Sequence, residues 1–411
     1  MARTVAEFPK GPRISDYLSL GVITKTVPLE RVRATLEALG KTSRRQRELP
    51  AHVVVYYVIL LALFMQVSYR EVLRCLLEGL QWLLGPGVHV KVTGKSGISQ
   101  ARTRLGEEVL QRLHDELVRP IAPPGARGAW YRQWRLVSLD GSTMEVADTA
   151  ENEQAFGRPG GGNGAGAYPQ LRMVSLVENG THVLFATQCG PYHTGEVTMA
   201  HTAVASLRPG MLCLADRLFF SYGLWKKAQA SGADLLWRLK KDTLLERHQD
   251  LPDGSYLAWV YENATDRKHK RKGLLLRVVD YYLEGVEGSE PLYRLATTIV
   301  DPAQAPAQEL AGLYHERWEI ETALDELKTH LRGARMLLRS KTPELARQEF
   351  YGLLIAHYAV RGLMLEAALQ IEEDPDRLSF VHAVRVVRRK LPRYVAIPPS
   401  AGNGPTSGGT G

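Results

Sequence analysis

The stretch Met211–Leu239 reads MLCLADRLFFSYGLWKKAQASGADLLWRL, and it determines the kind of fold to be expected. Met211–Ala215 is a short apolar run that predicts a buried strand, and a helix is predicted from there to about Ala230. Ala233–Leu239 is a second apolar run and predicts another strand. A strand, a helix and a strand in this order predict a βαβ unit of an α/β sheet.

Three more strands are predicted on the N-terminal side of this unit. Arg135–Leu139 (RLVSL) has the composition of a buried strand. Leu171–Val177 and His182–Gln188 are separated by an Asn-Gly turn, the strongest short signal for a hairpin, and Glu196–Leu207 predicts a helix. An antiparallel meander followed by βαβ units is the order of the ribonuclease-H-like fold, so we predict such an α/β core over residues 130–240.

The predicted core is flanked by segments of different character. Residues 1–120 predict a helical N-terminal domain, residues 241–300 a β-rich insertion, residues 301–395 a return to helix, and residues 396–411 a flexible tail. The N-terminal helices are predicted over Leu29–Leu39, Tyr69–Leu84 and Ser99–Leu117, and the strands of the insertion over Tyr256–Tyr261, Leu274–Leu283 and Leu292–Thr297.

One apolar run, Ala51–Val67, has a length of about 17 residues, the lower limit for a membrane span. It carries His52 and Gln66. Ser68 and Glu71 then form an S-x-x-E capping box, which predicts that a second helix starts at once. We therefore predict a buried core helix and no membrane contact. The N-terminus has no apolar core of signal-peptide length, so a cytoplasmic protein is expected.

Composition indicates a globular protein with a mildly basic surface. The 52 Lys and Arg exceed the 44 Asp and Glu by 8, which suggests a polyanionic partner. Three scattered cysteines without a C-x-x-C pair argue against a disulfide scaffold and a cysteine zinc site. Basic residues between the N-terminal helices, and in VRVVRRKLPRY at 384–394, predict either solvated helix surfaces or DNA contacts. The N-terminal ones are Arg44, Arg45, Arg47, Lys91, Lys95, Arg102 and Arg104.

Two aspartates follow predicted strands directly. Asp140 comes after the first strand in LVSLDGST, and Asp216 comes after the fourth in MLCLADRLFF. Active sites of open α/β sheets gather at the carboxyl ends of strands. Either Asp alone is commonly a cap or turn residue, but the pair predicts a site. Glu145 and Asp148 are alternatives for one of its carboxylates, disfavoured because neither ends a predicted strand.

A third carboxylate is predicted on the stretch 313–331, LYHERWEIETALDELKTHL. On a regular α-helix, Tyr314, Arg317, Glu321 and Lys328 fall within about 60° of one another. Periodicity alone fits an amphipathic helix with an Arg–Glu pair at i,i+4 spacing. The order strand-Asp, strand-Asp, helix-Glu instead predicts that Glu321 completes a site. Three carboxylates without His or Cys suit Mg²⁺ or Mn²⁺, and two such ions can promote phosphodiester cleavage.

The Gly-rich segment Phe156–Gln170, FGRPGGGNGAGAYPQ, does not fit a nucleotide-binding P-loop. It lacks the Gly-Lys-Ser/Thr ending and does not join an apolar strand to a helix. We predict a flexible loop beside the site, with Arg158 as a DNA contact.

Together these residues resemble the DDE transposases of the insertion sequence 4 family. Members carry Y-x2-R-x3-E-x6-K around the catalytic Glu, and the residues at 314, 317, 321 and 328 complete it. DGST, LADRLFFSY and the β-rich insertion also match. FPKGPRISDYLSLG and SGISQARTRLG resemble the helical N-terminal domain of the family, so the resemblance covers most of the chain.

The resemblance implies a cut-and-paste transposase that binds the inverted repeats of its element. It would cut double-stranded DNA and join a 3′-hydroxyl to target DNA, as a homodimer on the DNA. Asp140, Asp216 and Glu321 would bind two Mg²⁺ ions, with Mn²⁺ as a substitute. Two alternatives stay open: a transposase-derived DNA-binding protein without catalysis, and a ribonuclease-H-like nuclease without strand transfer.

The resemblance also assigns the DNA contacts. Tyr314, Arg317 and Lys328 would contact phosphates near the transposon end. Relatives that form hairpin intermediates stack a flipped base on a Trp in the strand before the catalytic helix. Tyr293, in PLYRLATT, takes that place here.

Overall fold

The computed structural model describes residues 21–43, 49–84, 94–160, 168–282, 291–331 and 337–388. Its N-terminal part is helical, as predicted. After a helical segment over 21–26, the helices are α1 (Leu29–Ala38), α2 (Ala51–Leu63), α3 (Tyr69–Leu84), α4 (Lys95–Leu105) and α5 (Glu108–Leu117).

The single helix predicted over Ser99–Leu117 is wrong, because α4 ends at Leu105. Gly106 follows with a φ of +80°, a conformation that only glycine adopts without strain, and the chain turns there before α5. The predicted cap of α3 is present, since the Ser68 hydroxyl accepts from the Glu71 N–H at 3.2 Å.

Helix α2 is the predicted core helix, with every residue from Val53 to Leu63 buried. It packs against α12 (Pro343–Gln370), where Gly352 lets the two backbones approach closely: a Cβ there would lie 2.9 Å from the Val58 carbonyl oxygen. Among the described residues, α12 alone is long and apolar enough to cross a membrane, and 67% of its most apolar window is buried inside the protein.

A ten-stranded mixed sheet forms the centre of the described chain. Its strands run in the spatial order β4-β3-β2-β5-β6-β10-β9-β8-β7, with β1 paired to β2. They are β1 (Trp130–Tyr131), β2 (Trp134–Glu145), β3 (Gln170–Glu178), β4 (Val183–Pro191), β5 (Met211–Ala215), β6 (Asp234–Arg238), β7 (Glu246–Asp250), β8 (Tyr256–Val260), β9 (Leu274–Tyr281) and β10 (Tyr293–Thr297).

The predicted meander and βαβ unit are confirmed, because β2–β3–β4 pair antiparallel whereas β2, β5 and β6 pair parallel. The side chains along β5 alternate between two apolar clusters. Cys213 and Ala215 belong to one cluster, and Leu212 and Leu214 belong to the other. Since side chains alternate along a strand, both faces of the sheet are covered.

One strand of the sheet was not predicted: β7, because ERHQD is polar and mostly exposed. The predicted β-rich segment after β6 is present and continues the central sheet, since β10 pairs antiparallel with β6. The limits of the predicted domains stay a prediction.

The remaining helices flank the sheet. They are α6 (Ala150–Phe156), α7 (Glu196–Ala203), α8 (Tyr222–Gln229), α9 (Ala264–Lys268), α10 (Ala307–His315), α11 (Glu319–Asp325), α12 and α13 (Phe380–Arg388). The continuous helix predicted over 313–331 is wrong: Glu316–Trp318 is a 3₁₀ turn and Glu326–Leu331 is π-helical, on either side of α11.

Candidate active site

Asp140 lies inside β2 and does not end it, contrary to the prediction. The parallel pairing of β2 with β5 stops at Leu139, opposite Ala215, but the antiparallel pairing with β3 continues to Glu145. The strand is therefore longer than its apolar run, because the next residues are held by one neighbour only. Asp140 marks the point where the parallel partner ends. Glu145, set aside because it did not end a predicted strand, is the last residue of β2.

Asp216 follows the last residue of β5, as predicted. Its carboxylate accepts from the Arg217 N–H at 2.7 Å, and its carbonyl accepts from the Phe219 N–H at 3.0 Å. This tight turn carries the chain away from the sheet edge. Asp140 and Asp216 thus leave neighbouring parallel strands at the same edge, as expected of an α/β site.

Arg317 joins Asp140 to Glu321. Its guanidinium lies 3.8 Å from a carboxylate oxygen of each, and the side chain is 11% exposed. The 3₁₀ turn places Arg317 before α11, so that it reaches over to β2. The Glu321 carboxylate is half exposed, at 50%. One cation therefore holds two of the three predicted carboxylates on the same side of the sheet.

The three predicted ligands are not drawn into a tight cluster. Among the described residues, the one group of three ligating atoms within 4.8 Å of one another belongs to His182, Glu319 and Asp376, at the turn between β3 and β4. Arg317 instead supplies the counter-charge that Asp140 and Glu321 share.

The pKa of Asp140 is affected by a carboxylate outside the three predicted ligands, that of Glu196. Burial raises the pKa of Asp140 to about 6; the Gly141 N–H and the Arg317 charge oppose that rise, whereas the negative charges of Glu196 and Asp216 add to it. Asp140 is thus close to two other carboxylates. Like charges crowded in this way are stabilised by a bound cation.

Glu196, the first residue of α7, was not predicted as a site residue. It touches the backbone beside Asp140, since a Cβ on Gly141 would lie 2.6 Å from the Glu196 Cδ. Arg172 on β3 donates to the Glu196 carboxylate at 2.6 Å. The sequence signal for Glu196 is its position at the start of a predicted helix. Acidic residues are common at that position in any helix, so the signal does not indicate a site.

Tyr314 lies beneath the site, and not on its surface. The ring is 6% exposed, the hydroxyl donates to the Ala215 carbonyl at 3.4 Å, and burial raises the pKa of the phenol. This contact ties α10 to the residue before Asp216.

Lys328 contacts the same strand two residues beyond Asp140. Its ammonium donates to the Ser142 hydroxyl at 3.0 Å. Ser142 lies two residues after Asp140 on β2, and alternate residues of a strand share a face. Arg317 and Lys328 therefore both meet one face of β2, although the helix joining them is irregular.

The other predicted DNA contacts have partners within the protein. Tyr293 stacks on Tyr281 with ring centroids 5.2 Å apart, and the Arg238 guanidinium lies 4.6 Å above its ring. Arg158 pairs with Asp148 at 2.5 Å and with Glu153 at 3.0 Å. Their roles toward DNA stay predictions.

Among the N-terminal basic residues, Arg102 is not a surface residue. It is 2% exposed and donates to Gln348 and Ser340, which lie in and before α12. Other predicted features lie outside the described residues: Arg44, Arg45, Arg47 and Lys91, positions 161–167 of the Gly-rich segment, positions 389–394 of the C-terminal basic run, and the tail over 396–411.

Comparisons with known proteins identify the family of the chain. Residues 17–115 match the family described as insertion element 4 transposase N-terminal, and residues 133–359 match the family described as transposase DDE domain. The chain is 30% identical over 381 residues to the transposase InsG for insertion sequence element IS4 of Escherichia coli K12, which covers 92% of this chain and 82% of that protein.

Two other similarities are more distant. The putative transposase InsZ of Escherichia coli K12 is 23% identical over 225 residues, 54% of this chain and 71% of that protein. The cryo-EM structure of a piggyBac transposase synaptic complex with hairpin DNA aligns at a TM-score of 0.46 and 11% identity, over 93% of this chain and 82% of that chain.

Proposed function

The chain belongs to the insertion element 4 family of DDE transposases, enzymes that cut DNA with a divalent metal, and from that premise we propose its specific reaction. It binds the terminal inverted repeats of an insertion sequence, cleaves the DNA at the element's ends and joins the freed 3′-hydroxyl to target DNA. The observation that carries this proposal is the Arg317 bridge between Asp140 and Glu321, beside Asp216.

The strand arrangement supports a ribonuclease-H-like catalytic core. Three antiparallel strands continue into two parallel strands in the order β4-β3-β2-β5-β6. Asp140 lies on the first of these strands in chain order and Asp216 directly follows the fourth, and these two strands pair with each other. The strands after β6 widen this core, and α11 brings Glu321 back to it.

The donor set fits Mg²⁺. Asp140, Asp216 and Glu321 offer oxygen ligands without nitrogen or sulfur, as hard cations prefer. The raised pKa of Asp140 reflects burial and neighbouring carboxylates, which a divalent charge would offset. Two bound Mg²⁺ ions, or Mn²⁺ in their place, would supply a deprotonated water or 3′-hydroxyl and stabilise the leaving oxygen.

In this proposal, Arg317 and Lys328 contact the DNA and do not bind the metal. Arg317 offers a planar guanidinium with several donors, which suits a phosphate oxygen as well as a carboxylate. Lys328 offers a point charge at the end of β2. Both can contact the backbone of the strand being cut, while Tyr314 supports Asp216 from below through the Ala215 carbonyl.

We further propose that the enzyme works as a homodimer on paired transposon ends. Two element ends must be cut and inserted together, and each presents one copy of the repeat. The enzyme would act in the cytoplasm on chromosomal or plasmid DNA. Its basic balance of 52 Lys and Arg against 44 Asp and Glu suits this polyanionic partner.

The test uses the purified full chain with labelled duplexes that carry the terminal repeat, in Mg²⁺. Wild type should nick the duplex and join it to a target plasmid, whereas Asp216→Asn and Glu321→Gln should bind the duplex and do neither. Binding without nicking by wild type would favour the non-catalytic alternative. Nicking without joining would favour a nuclease. Wild-type cleavage rates in either variant would refute the assigned metal ligands.

A further inference from the structure

Glu326 is a buried carboxylate beside the candidate site, and the reaction proposed above does not use it. It is 5% exposed and begins the π-helical segment that follows α11. Glu321 lies five positions before it and Lys328 two positions after it. Glu326 therefore lies in the stretch of chain that carries both signature residues.

The partners of Glu326 come from two other elements. Arg361 on α12 donates to its two carboxylate oxygens at 2.9 and 2.5 Å, and the buried His357 ring lies 3.4 Å away. The His182 ring, from the turn between β3 and β4, lies 3.3 Å from the same carboxylate and also contacts Arg361. Glu326 thus fastens the π-helical segment to α12 and to the sheet at once.

A second set of contacts extends this junction. His182 has a φ of +55°, a left-handed conformation that is unfavourable for a side-chain-bearing residue. Its other ring nitrogen lies 2.7 Å from the Asp376 carboxylate. Glu319, at the start of α11, accepts from the Gly180 N–H at 2.5 Å. The start of the segment 319–331, at Glu319, and its middle, at Glu326, are therefore both held to the β3–β4 hairpin.

This junction does more than hold the fold together. A buried ion pair contributes little net stability, because desolvation of both charges offsets their attraction, but it requires one geometry. π-Helical turns are rare and concentrate at functional sites. Here the π-helical turn coincides with the position where the buried carboxylate is fixed, between the two residues assigned to the reaction.

We infer that Glu326 is a positioning residue for strand cleavage: by binding Arg361, His357 and His182, it fixes the segment that presents Glu321 and Lys328 to β2. The inference rests on the proposed function, since it assigns Glu326 to the same site. Glu326 touches neither the DNA nor the metal, and it acts through the placement of other residues.

The test replaces the charged pair by apolar side chains of similar length, Glu326→Met with Arg361→Met. A buried ion pair exchanged in this way commonly retains the fold. At saturating terminal-repeat DNA, the cleavage rate should fall about 100-fold, the loss expected for a displacement of about 1 Å. The half-saturating DNA concentration should rise no more than it does in Lys328→Ala, because Lys328 is the phosphate contact that this segment presents.

The control is Glu349→Gln. Like Glu326, Glu349 is a buried glutamate; it lies on α12 and is 1% exposed. Its carboxylate accepts from Ser340 and from the Arg339 N–H, and these partners lie outside the 319–331 segment. This variant should cleave at the wild-type rate even if its melting temperature falls. A matching loss of rate in the control would assign the effect to stability alone and overturn the inference.

Cleavage by the double variant within about threefold of wild type would also overturn it. If the double variant does not fold, Arg361→Lys is tested instead. This variant keeps the positive charge but loses the bidentate hydrogen bonding of a guanidinium to the carboxylate. A lowered saturated rate with an unchanged melting temperature supports positioning, and a wild-type rate contradicts it. A wild-type protein that binds repeats but never cuts them contradicts the proposed function instead.

Discussion

The Lys328 ammonium lies 3.0 Å from the hydroxyl of Ser142, two residues along β2 from Asp140. The contact joins the π-helical segment to the strand that carries the first predicted metal ligand. It also places a positive charge where the strand leaves its parallel neighbour.

Lys328→Ala should weaken binding to the terminal-repeat duplex and flatten its salt dependence. A lysine that contacts one phosphate releases about one counterion, so the slope of log affinity against log salt should change by about 1. Ser142→Ala is the matched control, because it removes the same hydrogen bond without removing the charge. Parallel lines without an offset would leave Lys328 without a phosphate contact.

Arg317→Ala should lower the cleavage rate about 100-fold, equivalent to about 2.7 kcal/mol of transition-state stabilisation. The variant loses the group that lies 3.8 Å from both Asp140 and Glu321, so these carboxylates no longer share a counter-charge. Arg317→Lys should restore little, because an ammonium cannot face both carboxylates as a planar guanidinium does. Single-turnover cleavage at saturating DNA measures the effect, and a wild-type rate in either variant would contradict it.

Gly141→Ala should destabilise the protein by about 1–3 kcal/mol, because an added Cβ overpacks this site. The new Cβ would lie 2.6 Å from the Glu196 Cδ, and Arg172 holds that carboxylate in place. Urea unfolding measures the loss.

Gly312→Ala is the control for this substitution, since nothing lies within 4 Å of its Cβ position. A helical alanine in place of glycine should stabilise by about 0.5–1 kcal/mol. Equal unfolding midpoints for the two variants would show that Glu196 moves aside without cost.

Glu326 should contribute to stability at neutral pH and lose that contribution in acid. Burial alone would raise the pKa of Glu326, but hydrogen bonds from His182 and His357 and the charge of Arg361 outweigh it and hold the pKa well below the ordinary 4.5. A carboxylate with a depressed folded pKa stabilises above its unfolded pKa, and the effect disappears as pH falls through the folded value.

Glu326→Gln cannot titrate at this position, so its stability deficit relative to wild type should shrink as pH falls below 4.5. Chemical unfolding of both proteins from pH 7 to pH 3 provides the measurement. A deficit that stays constant across this range would mean that Glu326 titrates alike in the folded and unfolded chains.

Most elements near the site could be predicted from the sequence. The sequence predicts the strand Met211–Ala215 with its exact limits, because this apolar run is bounded by Gly210 and Asp216. The limits of β2 could not be predicted in this way. Its second half, with Gly141 and Ser142, is held by pairing with β3 and carries no apolar pattern of its own.

The helix around Glu321 shows the same limit. Helical periodicity over 313–331 predicts one regular helix, and the resemblance to the family signature assigns Tyr314, Arg317, Glu321 and Lys328 to the site. The 3₁₀ turn before Glu319 and the π-helical turn from Glu326 were not predicted. They depend on buried partners distant in sequence, such as Arg361, which local periodicity does not register.

The sequence by itself determined the helical N-terminal region, the order of strands and helices along the core, and the family, and it predicts the three carboxylates of the site. These depend on local patterns: apolar periodicity, turn residues and a spaced signature. Only the tertiary structure decided that Glu196 lies beside Gly141 and that Arg317 lies between Asp140 and Glu321. Such contacts join residues far apart in the chain, and their distances depend on packing and charge pairing in the folded protein, which no single segment encodes.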